Sequence, residues 1–377
     1  MTNVDILYKM IDNGRQGKNI GLKTGLDKLD EYTGGLQKGI YTLIFGLSGA
    51  GKTAVCLYYY IYRPLKDNPK SDIKYIYFSL ELSAELLLAK LLCLYLYEEF
   101  NVVISYSELM SWKDILTNEQ YEYVKAGKKW LKSISEKLII FDKTLTSKSF
   151  YHTIMSQLSL WGSFEEIDEG RRKIYIKNNP NQWVSVVVDH VGLITCSDGR
   201  TKKAEIDLMS QYAVTLKEKC QVSFFMLQQE NRTSSDIDRI KAGLTESSSE
   251  GLKDTGNTFN DCEVCIGVYY PLKFKLKTWA GYEIINPDPS SEFKGLRDRC
   301  RGIQLIKNRH GASDKSIPVN FFGELGLFRA LPEPDKITDY KQYIHLNGLK
   351  DSIVEDKDTE DKSDKKESDA LNYSFKF

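Results

Sequence analysis

A chain of 377 residues with 41% hydrophobic and 28% charged side chains has the make-up of a soluble globular protein. It has room for one large α/β domain plus extensions, or two modest domains. The 52 basic and 52 acidic side chains cancel, which argues against a nucleic-acid coat or a histone-like protein. Basic groups can still be concentrated locally, for instance on loops facing a channel. No apolar run of about 18 residues occurs, and the polar N-terminus does not read as a secretory signal, so a cytoplasmic protein is expected.

In chain order, Val4 to Asp12 shows helical spacing of apolar groups and stops at Asn13-Gly14. This predicts a short amphipathic helix that either folds back on its own core or packs elsewhere. From residue 40, β-rich runs alternate with helical stretches. The predicted strands are Ile40–Phe45, Tyr75–Ser79, Leu138–Phe141, Val184–Val188, Val222–Leu227, Val264–Tyr269, Gly302–Ile306 and Ile317–Phe322. The predicted helices between them are Lys52–Tyr62, Ala84–Leu96, Ser147–Leu160 and Ala204–Lys219. Near-continuous apolar runs such as Val184 to Val188 suit strands covered on both faces. The fold class is therefore α/β, a mostly parallel doubly wound sheet. Its last strands have little helix between them and predict an antiparallel edge.

Residues 161–182, polar and Gly/Asn-rich, and 271–298, with Pro271, Pro287 and Pro289, are expected to be loop insertions. After about residue 350 the composition turns to Asp, Lys, Glu and Ser, which predicts disorder. That tail, Asp351 to Phe377, carries nine acidic and five basic side chains and ends in the aromatic patch Leu371 to Phe377. It reads either as a solubilising tail or as a peptide that docks on a partner. The seven cysteines are scattered as expected for free thiols. Cys262 and Cys265 form a lone CxxC on an apparent strand. Strand alternation would point them to opposite faces, as core packing rather than a metal or redox site.

Gly46-Leu47-Ser48-Gly49-Ala50-Gly51-Lys52-Thr53 matches GxxxxGK[ST], with a β-rich run before it and a helix after it. Glycines let the backbone wrap a phosphate, and N–H groups at a helix start supply partial positive charge. In that setting Lys52 reaches the β- and γ-phosphates and the Thr53 hydroxyl ligates Mg²⁺. A hydrolase also needs a carboxylate near the metal and a group to activate water. Asp189 ends the run Val184–Val188, and Glu81 follows the strand Tyr75–Ser79, both at the sheet edge where ligands bind in open α/β folds.

At this point the residues resemble a family. Phe78-Ser79-Leu80-Glu81-Leu82-Ser83-Ala84-Glu85 is similar to the second-strand signature of DnaB-type replicative helicases, in which the glutamate is the catalytic base. Val188-Asp189-His190-Val191-Gly192-Leu193-Ile194 resembles the family's Walker B segment, with His190 and Gly192 in place of its tyrosine and glutamine. Leu227 to Arg232 resembles LSQLNR, which places the γ-phosphate sensor at Gln229; Arg232 flanks a polar stretch that reads either as the lining of a DNA channel or as a solvated loop. Gly251 to Gly256 resembles the DNA-contacting loop LRESG, implying DNA contacts at Lys253, Asp254 and Gly256. Lys307-Asn308-Arg309-His310-Gly311 is similar to K-x-R-x-G, whose lysine and arginine reach into the neighbouring subunit's ATP. Thr24 to Asp30 resembles the T-G-x-x-x-L-D lead-in.

The resemblance runs from about residue 4 to about 330 in the family's motif order. It implies a RecA-like P-loop core binding ATP and Mg²⁺ through Gly46, Ser48, Gly49, Ala50, Gly51, Lys52, Thr53 and Asp189. Catalysis falls to Lys52, Glu81, Gln229, Lys307 and Arg309. The implied organisation is a linker helix over 1–20 packing on a neighbouring subunit, a motor domain over 21–335 and an extension over 336–377. The family's N-terminal collar is expected to be absent, as in a phage-type helicase acting in a bacterial or phage-infected cytoplasm. The implied function is a homo-hexameric DNA helicase moving 5′-to-3′ on single-stranded DNA and opening forked duplex. Primase, a polymerase and a helicase loader are the candidate partners. A RecA-like recombinase or mediator, and a nucleotide-switched ATPase without unwinding activity, are the alternatives.

Overall fold

The structure is a computed structural model that describes residues 2–112, 114–167, 172–197, 199–230, 245–252, 257–288 and 290–346. Thirteen strands are found among them: β1 (Tyr41–Gly46), β2 (Ile73–Ser79), β3 (Leu138–Phe141), β4 (Gly162–Ile167), β5 (Arg172–Lys177), β6 (Trp183–Asp189), β7 (Ser223–Gln229), β8 (Val264–Tyr269), β9 (Thr278–Trp279), β10 (Tyr282–Glu283), β11 (Cys300–Asn308), β12 (Lys315–Phe322) and β13 (Leu327–Ala330). Nine of them form one sheet in the order β13-β12-β11-β8-β1-β7-β6-β2-β3. From β8 to β3 every pair is parallel. Then β11, β12 and β13 add the antiparallel edge that the closely spaced last strands predict.

Alternation along the central strands feeds two apolar layers. Tyr41, Leu43 and Phe45 of β1 pack with Val186, Val188 and Phe224 on one face, under helices Ser147–Trp161 and Lys202–Cys220. Ile44, Tyr75, Tyr77 and Val187 point to the other face, under Ala84–Phe100 and the helix that begins at Lys52. Strands buried on both faces have no polar alternation to display, so their sequences read as apolar runs. The helix from Lys52 continues through a π-type stretch, Cys56–Tyr62, to Arg63–Asp67. Every residue of the π stretch is buried, and the Tyr75 hydroxyl donates to the Tyr60 carbonyl at 2.7 Å.

Several elements differ from the sequence expectations. Residues 161–182 are not a loop: β4 and β5 pair as an antiparallel hairpin. It is anchored by the Phe164–Tyr175 ring contact and by the Tyr175 hydroxyl on the Leu158 carbonyl. Residues 271–298 contain the small β9–β10 hairpin, and Phe274, Trp279, Tyr282 and Ile284 give them an apolar cluster of their own. The helix Asn118–Ser135, absent from the sequence reading, is capped by a Thr117/Gln120 box and held by Trp130 stacked on Tyr95 at 4.2 Å. Cys262 and Cys265 do not face opposite ways. Cys262 lies before β8 begins, so strand alternation does not reach it, and both thiols pack in the same cluster.

The N-terminal helix runs Asn3–Arg15 behind a Thr2/Asp5 capping box. Its Val4, Leu7, Tyr8, Met10 and Ile11 are exposed, so it does not fold back on the core. At the other end, residues 336–346 pack on the body: the Asn320 amide donates to the Tyr343 carbonyl at 2.8 Å, and Leu346 is buried in the main apolar cluster. The acidic tail lies outside the described residues.

Lys177 on β5 donates to the Gln182 carbonyl at 3.1 Å. Burial, and then the charge of Lys38, push its ammonium down to about 8 from an ordinary 10.5. The unfolded chain holds that proton more tightly, so the protonated group opposes folding most below about pH 8 and the penalty lifts toward 10.5. Urea unfolding of the wild type beside Lys177→Met should therefore show the wild type gaining relative stability between about pH 8 and 10.5. A difference that stays flat or shrinks over that window contradicts this assignment.

Candidate functional site

Parallel strands deliver their C-terminal ends to one edge. The β1–β7 register sets Gly46 beside Gln229, and the β2–β6 register sets Ser79 beside Asp189, two residues before Glu81. The loop leaving β1 needs its glycines for two different reasons. A Cβ on Gly46 would lie 2.6 Å from the Val268 carbonyl oxygen of β8, so the two backbones can approach only without a side chain. Gly49 and Gly51 have φ of 74° and 107°, a region that L side chains rarely adopt.

The Lys52 ammonium donates to the Gly46 and Leu47 carbonyls at 3.1 and 3.2 Å, curled inside the loop it closes. Burial lowers its pKa, with Asp189 and Glu81 opposing that shift and Lys273 adding to it. Asp189, 2% exposed, accepts the Tyr77 hydroxyl at 2.8 Å and is hydrogen-bonded by the Thr53 side chain. Burial raises its pKa above the usual carboxylate range, and those two donors pull it back. Burial also lowers the pKa of His190 next to it, against the charges of Glu81 and Asp189. Ser48, Gly49, Gly51, Lys52, Thr53, Glu81, His190 and Gln229 all line one cavity of about 270 Å³. Backbone N–H groups, an ammonium and a hydroxyl–carboxylate pair around one space suit a polyphosphate with a hard divalent cation, which prefers oxygen ligands. The residues present therefore fit a nucleotide and Mg²⁺.

Lys307 and Arg309 sit elsewhere. Because β11 runs antiparallel to β8, Lys307 pairs with Cys265 and Asn308 with Val264, near the edge opposite the phosphate loop. A register shift between Leu305 and Lys307 marks a bulge just before them, which re-aims the strand end. Both side chains converge on one carbonyl: Lys307 Nζ lies 3.1 Å and Arg309 Nη2 2.7 Å from the Asn260 oxygen, and Lys307 also donates to Phe259 at 2.6 Å. The structure thus brings Lys52, Thr53, Glu81, Asp189 and Gln229 together at one edge, and Lys307 with Arg309 at the other. Arg232, Lys253, Asp254 and Gly256 lie outside the described residues.

Three groups near the loop carry no sequence signal. Arg301, from β11, donates to the Ala50 carbonyl at 2.9 Å. Lys273 donates to the Ser48 carbonyl. Glu230, buried, follows Gln229 and donates its backbone N–H to the Gly46 carbonyl at 3.0 Å. The buried Ser247 hydroxyl adds a long contact to Glu230, at 3.4 Å.

Removing the Tyr77 hydroxyl should expose how far Asp189 depends on its donors. Tyr77→Phe leaves a buried carboxylate one donor short, with an expected loss of about 1–3 kcal/mol in urea unfolding. A loss below about 0.5 kcal/mol means the hydroxyl is dispensable.

Comparison with known proteins places the arrangement. A family model described as the DnaB-like helicase C terminal domain matches residues 21–330. No curated protein matches significantly. Among solved structures, the chain is similar to one described as an ATPase domain, with a TM-score of 0.64 and 17% identity over 88% of this chain and 100% of that one. It is equally similar to a DnaB-like replicative helicase described with its interactions with primase: TM-score 0.64 and 16% identity, over 88% of this chain and 68% of that one. At such identities these two show the RecA-like fold alone. The family model spans most of the chain, and the chain belongs to the DnaB-like helicase C-terminal-domain family.

Proposed function

We propose that this chain is an ATP-driven DNA helicase motor that works as a ring with its nucleotide sites between subunits. The observation that carries the reading is the separation of the two half-sites. Phosphate-loop groups line one edge of the sheet, while Lys307 and Arg309 are held together near the opposite edge. A site using both needs two copies of the chain.

In this reading Lys52 and the loop N–H groups hold the phosphates, and Thr53 with Asp189 hold Mg²⁺. The ion, when bound, supplies charge neutralisation for the phosphate oxygens. Glu81, exposed to the cavity, takes the proton of the attacking water, and Gln229 touches the γ-phosphate. Arg309 of the neighbouring copy stabilises charge developing on the transferred group, with Lys307 beside it. The loop around Lys253–Gly256, with Arg232, grips the backbone of a single strand, which calls for salt-sensitive binding without sequence preference. The exposed apolar face of Asn3–Arg15 packs on the adjacent subunit and helps close a hexamer. Movement is 5′-to-3′, with primase, a polymerase or a loader as partners.

The test is ATP-dependent unwinding of a forked duplex by wild type, Glu81→Gln and Arg309→Ala, and by a mixture of the two variants. Each variant alone should lose at least about a hundredfold in rate. Mixing should restore part of it, because some interfaces then carry an intact Glu81 and an intact Arg309. Unwinding should need a free 5′ tail. DNA-stimulated hydrolysis without unwinding on any fork overturns the helicase reading in favour of a recombinase. Hydrolysis indifferent to DNA favours a nucleotide-switched ATPase.

A further inference from the structure

Arg301 is the second residue of β11, paired with Val319 of β12, and only 3% exposed. Burying a guanidinium is expensive unless its donors are satisfied. Here the partners are carbonyl oxygens and rings. Nε donates to Ala50 at 2.9 Å, and Nη1 donates to Asp298 at 2.7 Å and to Cys300 at 2.8 Å. The guanidinium carbon lies 3.5 Å from the Tyr270 ring centroid and 4.9 Å from that of Phe321. Burial pushes its pKa down to about 10, so it stays charged at neutral pH.

The Ala50 contact matters because of where that peptide points. In a planar trans peptide the C=O and N–H are antiparallel. A carbonyl tied to Arg301 on one side therefore aims the Gly51 N–H to the other. Gly51 precedes the helix beginning at Lys52 and has a φ of 107°. Without a tether, a glycine peptide can rotate at little cost. Phe321, which packs on Arg301, also lies 3.6 Å from where a Gly51 side chain would begin, so cation and ring together form a floor beneath the loop.

We propose that Arg301 is a positioning residue for the phosphate loop. It fixes the Ala50–Gly51 peptide so that the Gly51 N–H faces bound phosphate, and it places a permanent positive charge under the loop. The inference rests on the reading of this site as a nucleotide site. The loop holds phosphate before and during the reaction, so losing the tether weakens ground-state binding: KM should rise with little change in kcat.

The experiment measures binding of a fluorescent N-methylanthraniloyl ADP with Mg²⁺ to the wild type, Arg301→Met and Arg301→Lys, each checked for folding by circular dichroism. Arg301→Met keeps the length but removes donor and charge, and should bind roughly tenfold more weakly, with a matching rise in the KM for ATP. Arg301→Lys keeps the charge without the planar fork and should recover only part of the loss. Wild-type affinity in a folded Arg301→Met, or a lowered kcat at unchanged KM, overturns the proposal. Should Arg301→Met fail to fold, Arg301→Lys decides: affinity within about twofold of wild type overturns it, and a loss of about threefold or more supports it. A wild-type protein that binds no nucleotide instead overturns the reading of the site itself.

Discussion

The direction of the strands governs everything else. β1, β2, β6 and β7 are parallel, so the residues just past their ends meet at one edge and can share a ligand. β11 reverses, and its end is carried to the far edge. The six residues of β8 separate those edges by about 17 Å at roughly 3.3 Å per residue. No rotamer of Lys307 or Arg309 spans that distance back through a packed sheet to the chain's own phosphate loop. One reversal of chain direction therefore keeps the two groups of residues apart within one copy, and the ring proposed above would bring them together between copies.

The two edges are joined by a short segment, buried at both its ends, as well as by the sheet. Thr258, 1% exposed, donates to the Gln228 side chain at 2.8 Å, next to Gln229 on β7. Directly after it, the Phe259 and Asn260 carbonyls hold Lys307 and Arg309. The segment then ends on Glu263, whose carboxylate accepts the Tyr41 N–H at 2.8 Å and pairs with Lys217. Carbonyls at the end of a short helix are otherwise unsatisfied, and here two cations satisfy them. Lys307 and Arg309 are thus held by backbone that is itself anchored beside the C-terminal end of β7.

Much of this is legible in the sequence because the signals are local. Apolar runs mark the buried strands, and a carboxylate soon after such a run puts Asp189 and Glu81 at the edge. The phosphate loop declares itself through spacing. What stays hidden depends on distance along the chain or on weak patterning. Arg301 meets Ala50 across 251 positions, and nothing near residue 301 indicates a loop to tether. The β4–β5 hairpin leaves Ile174 and Ile176 exposed, at 39% and 41%, so its alternation never produces a clean apolar face. Helix Asn118–Ser135 buries only Gly127 and Ile134 fully, which gives it a thin stripe in a charged sequence. The cysteine pair misleads because Cys262 stands before the strand begins, where alternation has no force.

The electrostatics of the loop follow from the same layout. Lys52, Lys273 and Arg301 approach it from the helix that follows it, from the segment after β8 and from β11, and all three donate to its carbonyls. Those carbonyls belong to Gly46, Leu47, Ser48 and Ala50; Lys52 holds the first two from within the loop, at the cavity, and the buried Arg301 holds the last. The Ala50 carbonyl, held by Arg301, leaves the Gly51 N–H of the same peptide pointing the opposite way. Glu81, at the cavity, and the buried Asp189 oppose the burial-driven loss of the Lys52 proton. The loop is thus shaped by the cations that hold its carbonyls as much as by the glycines within it. A sequence motif names the glycines, and only the packing of distant strands supplies the cations.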